Sequence, residues 1–183
     1  QTGVYGMPTH IAAIASVSMA VILLGLKICA AWATGSVSML GSLADTGLDT
    51  VASLMTLYSV RIAAQPADGD HRFGHGKAEA LAALFQTGVI TASALAIGWR
   101  GFSRIGDSAA PERPELGIAV SVVAILLTLA LVLYQRSIVR RTGSIAIHAD
   151  HVHYSSDLLL NGAVIVALVL DGVLSVRGAD PVF

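Results

Sequence analysis

Two pairs of ionisable residues repeat one spacing. Asp45 and Asp49 stand four apart, and so do His153 and Asp157. On an α-helix that separation puts both members of a pair on one face. Three carboxylates and one imidazole suit a tetrahedral Zn²⁺ site, whose ligands include His and Asp. The imidazole turns the choice toward zinc, cadmium or iron(II) and away from Mg²⁺ and Ca²⁺, which prefer all-oxygen shells. The same four groups also take up and release protons.

These residues interrupt an apolar chain. Of 183 residues, 55% are hydrophobic and 13% charged, and the mean hydropathy is +0.74, whereas soluble domains carry about 25% charged residues. Ile11 to Leu26, Ala80 to Trp99 and Leu116 to Gln135 hold no charge. Each is close to the roughly 20 residues needed to cross a hydrocarbon core. The sequence therefore reads as an all-α, polytopic transmembrane helix bundle, with spans near 9–33, 37–62, 78–100, 115–136 and 145–175. A cleaved signal is a poor reading of the first span, because comparable segments follow it. Arg177-Gly178-Ala179-Asp180-Pro181 reads as a turn into a sixth helix, cut at Val182-Phe183, so the expectation is a truncated transmembrane domain. Lys and Arg lie six on the side of the 2–3 and 4–5 connectors (Arg61, Arg72, Lys77, Arg136, Arg140, Arg141) and four opposite (Arg100, Arg104, Arg113, Arg177). That bias favours an N-terminus inside.

Depth gives the two pairs their meaning. Asp45 falls roughly 12 Å and Asp49 roughly 18 Å along the second span at about 1.5 Å per residue. The fifth span runs antiparallel to it, so His153 and Asp157 reach comparable depth. A charge there costs about 2.5–3.5 kcal/mol on insertion scales, and three unpaired carboxylates would repel one another. A bound dication or bound protons would resolve both penalties. The only basic residue inside a span away from its last two positions, Lys27, sits near a helix end from which it could snorkel. The bland alternative is a set of helix–helix hydrogen-bond anchors. Ser38, Ser42, Asp45, Asp49, Ser53 and Thr56 form a polar stripe, and small polar residues also permit close helix approach.

The remaining signals exclude more than they assign. A net charge of −1 argues against a nucleic-acid partner bound through phosphates. One cysteine, Cys29, rules out an intrachain disulfide and reads as a helix-packing residue. No HExxH or GxSxG pattern is present, which argues against an intramembrane hydrolase. Trp32, Trp99 and Tyr134 fit interfacial aromatic belts. His148, Asp150 and His151, at the inner start of the fifth span, read as interfacial, solvated groups rather than ligands, with feeding metal or protons toward His153 as the alternative. By composition Asp68, Asp70, His71 and His75 read as a solvated loop, although the two His share i, i+4 spacing.

Three segments resemble the cation diffusion facilitators. They are Gly35-Ser36-Val37-Ser38-Met39-Leu40-Gly41-Ser42-Leu43-Ala44-Asp45-Thr46-Gly47-Leu48-Asp49, Asp70-His71-Arg72-Phe73-Gly74-His75-Gly76-Lys77-Ala78-Glu79, and His153-Tyr154-Ser155-Ser156-Asp157. The resemblance implies a six-helix domain in a homodimer of a bacterial inner membrane. It implies export of a divalent cation, with Zn²⁺ first and Cd²⁺ or Fe²⁺ as alternatives, in exchange for protons. It maps a transport site onto Asp45, Asp49, His153 and Asp157, and a second zinc site onto Asp68, His71 and His75; Asp70 beside them is an additional candidate ligand. The family's cytoplasmic metal-binding domain is missing from residues 1–183.

Overall fold

The computed structural model describes the backbone of residues 2–34, 38–69, 72–103 and 114–178. Among these residues five helices make up the regular structure: α1 (Thr2–Thr34), α2 (Ser38–Ala63), α3 (Lys77–Ser103), α4 (Pro114–Thr142) and α5 (Ile145–Gly178). No strand occurs among the described residues. The expected start of a sixth helix falls at 179–183, outside them.

Gly6–Trp32, Lys77–Trp99 and Val122–Thr142 are long and apolar enough to cross a bilayer. Helix α2 is also long, 26 residues, but Asp45, Asp49 and its run of Ser and Thr lower its hydropathy. Burial is distributed as expected in oil rather than water. The interior is built from small and polar side chains, among them Ala12, Ser16, Ala52, Ser53 and Thr56, while Ile11, Val21, Leu84, Leu126 and Leu133 face outward. A soluble bundle reverses that arrangement, whereas lipid solvates large aliphatics and leaves small residues to bring helices close.

Helix α1 packs on α2 and α4, α4 on α5, α5 on α3, and α3 on α2, so each helix has two main neighbours. Helices α2 and α5 also meet directly. That contact brings together the two helices that carry the spaced ionisable pairs.

The helix ends show how local chemistry fixes these positions. Helix α2 closes with Ala64 N–H donating to the Val60 carbonyl and Gln65 N–H to the Ile62 carbonyl. Pro66 follows, and proline has no N–H to continue the ladder. Helix α4 runs to Thr142, so Arg136, Arg140 and Arg141 lie on its last turns rather than in the connector expected from the sequence. It ends at Gly143, whose φ of 67° is the left-handed conformation that glycine adopts most readily. Gly143 N–H donates to the Val139 carbonyl at 2.9 Å, the single bond of an αL cap. The next residue, Ser144, starts α5: its Oγ accepts from Ile147 N–H at 3.3 Å, an N-cap bond. Glu79, in the first turn of α3, accepts from Ser144 Oγ at 2.8 Å and from Ile145 N–H at 3.1 Å. A carboxylate there satisfies orphan donors and complements the helix dipole. The angle at which α5 enters the bundle is thus set by three residues and one cross-helix acid.

Replacing Gly143 by Ala, or Ser144 by Ala, should each destabilise the bundle by about 1 kcal/mol, through left-handed strain in one case and a lost cap in the other. Thermal unfolding in detergent reads both, and midpoints equal to wild type would refute this account of the turn.

Candidate metal centre

Helix α2 presents Asp49, and α5 presents His153 and Asp157 one turn apart. One ligand atom from each of these three residues lies within 4.8 Å of the others. His153 Nε2 is 3.1 Å from Asp49 Oδ1 and 3.4 Å from Asp157 Oδ2. The imidazole is 3% exposed, yet its Nε2 has no hydrogen bond of good geometry to either carboxylate. Three donor atoms facing a shared space, rather than satisfying one another, form a ligand set open to a small cation.

Asp45 stands outside that trio but lines the same cavity, of about 210 Å³, together with Asp49, Asp157, Thr46, Lys27 and Asn161. The sequence placed Lys27 at a helix end, free to snorkel; instead its ammonium donates to Thr46 Oγ1 across the α1–α2 contact. Lys27 therefore brings a tethered positive charge to a cavity that holds three carboxylates. With His153 neutral, two negative charges remain, matching the charge of one divalent ion. Ala20, Leu23 and Lys27 line the cavity from α1, and their 3.6-residue recurrence is the sequence signal that gives Lys27's direction.

A buried polar network holds α5 in register behind these ligands. Tyr154 Oη donates to the Ser16 carbonyl at 3.2 Å and lies 3.0 Å from Ser53 Oγ. Because the phenol proton is directed at Ser16, the Ser53 hydroxyl is the donor in the second bond. One phenol thus joins α1, α2 and α5. Its ring meets the His153 imidazole edge-on, with centroids 5.3 Å apart. Below it, Gln135 Nε2 on α4 donates to Ser16 Oγ at 2.8 Å and to Asp150 Oδ2 at 2.7 Å. Asp150 is 0% exposed, which corrects its reading as a solvated interfacial group: Gln135 of α4 and Ser16 of α1 pack over it. Its neighbour His148 is exposed, and His151 is partly buried. Cys29, expected in a packed interface, is exposed on α1.

In the α2–α3 connector, His75 Nε2 lies 3.6 Å from Asp68 Oδ2. His75 is mostly buried and Asp68 is 55% exposed. The other two loop residues singled out from the sequence, Asp70 and His71, lie outside the described residues. Gly74 turns the connector with φ 78°, and residues 72–76 are not helical.

The model of the cation efflux transmembrane domain matches residues 13–183. The chain belongs to the cation efflux, or cation diffusion facilitator, family. It is similar to the cation-efflux pump FieF of Yersinia pestis (strain Pestoides F), with 48% identity over 172 residues, covering 94% of this chain and 57% of that protein. The FieF pump of Yersinia pseudotuberculosis serotype IB (strain PB1/+) matches with the same identity and coverage. The chain spans little more than half the length of these relatives. Membership makes this a transporter domain rather than an enzyme, and it accounts for an interior of small and polar residues inside a lipid-facing shell.

Tyr154→Phe tests the network separately from the ligands. Removing one hydroxyl should cost about 1–2 kcal/mol by leaving Ser16 and Ser53 without their partner, while the ring stays against His153. The expected result is a lower unfolding midpoint with unchanged metal stoichiometry by calorimetric titration. Loss of a bound metal in this variant would make Tyr154 part of the site itself.

Proposed function

We propose that this chain is the transmembrane part of a secondary transporter that exports a divalent transition-metal cation from the cytoplasm in exchange for protons. Zn²⁺ is the first choice and Cd²⁺ or Fe²⁺ are alternatives. The observation that carries this reading is the convergence of Asp49, His153 and Asp157 from two helices on one point beside the buried imidazole. Asp45, in the same cavity, supplies the fourth ligand. One nitrogen and three oxygens favour zinc over the hard cations.

The donor set also provides the exchange. Metal ligands must be deprotonated, so binding releases protons and weakens as the medium acidifies. Open to a near-neutral cytoplasm, the site loads; open to a more acidic exterior, His153 and a carboxylate take up protons and the ion leaves. Imidazole is suited to this step because it titrates near pH 6.5 in the unperturbed state. The moving parts are the spans themselves, which alternate access around a midplane site. Five spans and the start of a sixth, an N-terminus on the cytoplasmic side, a bacterial inner membrane and a homodimer complete the reading. A second zinc site at Asp68, His71 and His75 is part of this reading, supported by the Asp68–His75 approach at 3.6 Å.

Full-length protein in zinc-indicator proteoliposomes provides the test. Asp49→Ala and Asp157→Ala should each lower zinc flux at least about 100-fold while inserting normally, because a buried ligand is lost outright. In the wild type, zinc affinity should fall as pH drops through about 6.5, the imidazole range. Wild-type flux in either variant would remove the site, and zinc flux without an opposing proton flux would remove the exchange.

A further inference from the structure

One turn before His153, on the same face of α5, the hydrogen-bonding of Asp150 does not balance. Asp150 and Gln135 are both 0% exposed. One contact joins them, Gln135 Nε2–H to Asp150 Oδ2 at 2.7 Å, and the second amide hydrogen goes to Ser16 Oγ. Two oxygens then remain, Gln135 Oε1 and Asp150 Oδ1, both buried and neither meeting a donor. An ionised Asp150 makes this worse, since two acceptors can do nothing for each other and an orphaned buried acceptor is strongly unfavourable.

A fixed charge is no better supported. No Lys or Arg pairs with Asp150 among the described residues. The ionisable groups that face it are His153 and Tyr154 on its own helix and Asp49 on α2, while α1 and α4 offer only Ser16 and Gln135. Asp49 is itself a carboxylate, and His153 is already flanked by Asp49 and Asp157. An anion at Asp150 would be fully desolvated and would leave one of its own oxygens without a donor, a costly arrangement for a buried charge.

One hydrogen on Oδ1 resolves both defects. A carboxylic acid and a primary amide are complementary: the amide N–H donates to the acid carbonyl while the acid O–H donates to the amide carbonyl. We infer that Asp150 is a neutral carboxylic acid whose resident proton is held against Gln135, forming a clasp that fixes α5 to α4 and, through Ser16, to α1. Asp150 is a positioning residue in this scheme. It sets the register of the helix that carries His153 and Asp157, and it adds no further negative charge below the ligand trio. Its proton is structural and does not take part in exchange. The inference rests on the packing of the helices; only the flux arm below depends on the transport reading.

The substitution that discriminates is Asp150→Asn, because an amide presents the same acceptor and donor edges as the neutral acid. In full-length protein, Asp150→Asn should fold and keep zinc flux within about twofold of wild type with an unshifted pH profile, one neutral donor having replaced another. Asp150→Leu cannot serve either Gln135 atom and should lower the unfolding midpoint. Infrared difference spectra of wild type minus Asp150→Asn, in lipid across the neutral pH range, should contain the C=O stretch of a protonated carboxylic acid, moving in D₂O. That band requires no transport, so it decides the proton even if the proposed cargo is wrong. An ionised-carboxylate signature in its place overturns the inference. So does an Asp150→Asn protein that fails to fold or loses flux as Asp157→Ala does.

Discussion

Negative charge inside a bilayer must be neutralised where it stands. Asp45, Asp49 and Asp157 share one cavity in the middle of a lipid-facing bundle, and each would be costly there alone. The bundle answers with one tethered ammonium, Lys27, and one imidazole, His153, and leaves the rest to whatever cation enters. This partial compensation suits a carrier. Full pairing by fixed lysines would make the site a structural ion-pair cluster with no need of a ligand. With no internal cation at all, three mutually repelling carboxylates would share the cavity. Two residual charges leave a site that a dication can neutralise and that protons can also neutralise, which is the condition for exchanging one for the other.

A site of this kind must be built on surfaces that can approach closely and hold register without a large apolar core. Lipid removes the hydrophobic drive between helices, so small residues and specific hydrogen bonds carry the association. The distribution here follows that logic. Ser16 is met by Tyr154 from α5 and Gln135 from α4, and Ser53 of α2 meets the same phenol. Four helices are therefore keyed to one another around the residue next to His153. At the end of α5, Glu79 of α3 ties the helix start by two hydrogen bonds. All five helices thus take part in orienting the one that supplies two of the three clustered ligands.

Much of this was legible in the residue spacing. Asp45/Asp49 and His153/Asp157 announced themselves by i, i+4 repetition inside apolar runs, and that pattern alone pointed to two opposed helices sharing a metal or protons. What spacing did not give was the lateral boundary of each helix. Ending the fourth span near residue 136 placed Arg140 and Arg141 in an open connector and left Asp150 facing solvent. In the structure α4 continues to Thr142; Asp150 is covered by Gln135, a residue already inside the expected span, whose inward direction the span bounds did not give. Basic residues raised the apparent polarity of those last turns, although an exposed Arg favours helix about as well as Leu does. Lys27 was misread for a related reason. Its distance from the helix end suggested snorkelling, while its place on the Ala20–Leu23 face fixed the inward direction.

The position of the polar network relative to the ligands has a mechanistic consequence. Asp150, His153 and Asp157 recur at three- and four-residue intervals along one face of α5, so the helix offers a column of ionisable groups leading toward the cavity. If every group in the column were ionised, a dication would find successive stopping points of similar depth, and its release would be slowed at each. A neutral Asp150 breaks the column. The strongest field is then confined to the place where α2 and α5 meet, and the cation has one resting point. The same amide–acid contact that removes this charge also stiffens α5 against α4 and α1, so charge placement and helix rigidity are met by a single pair of side chains.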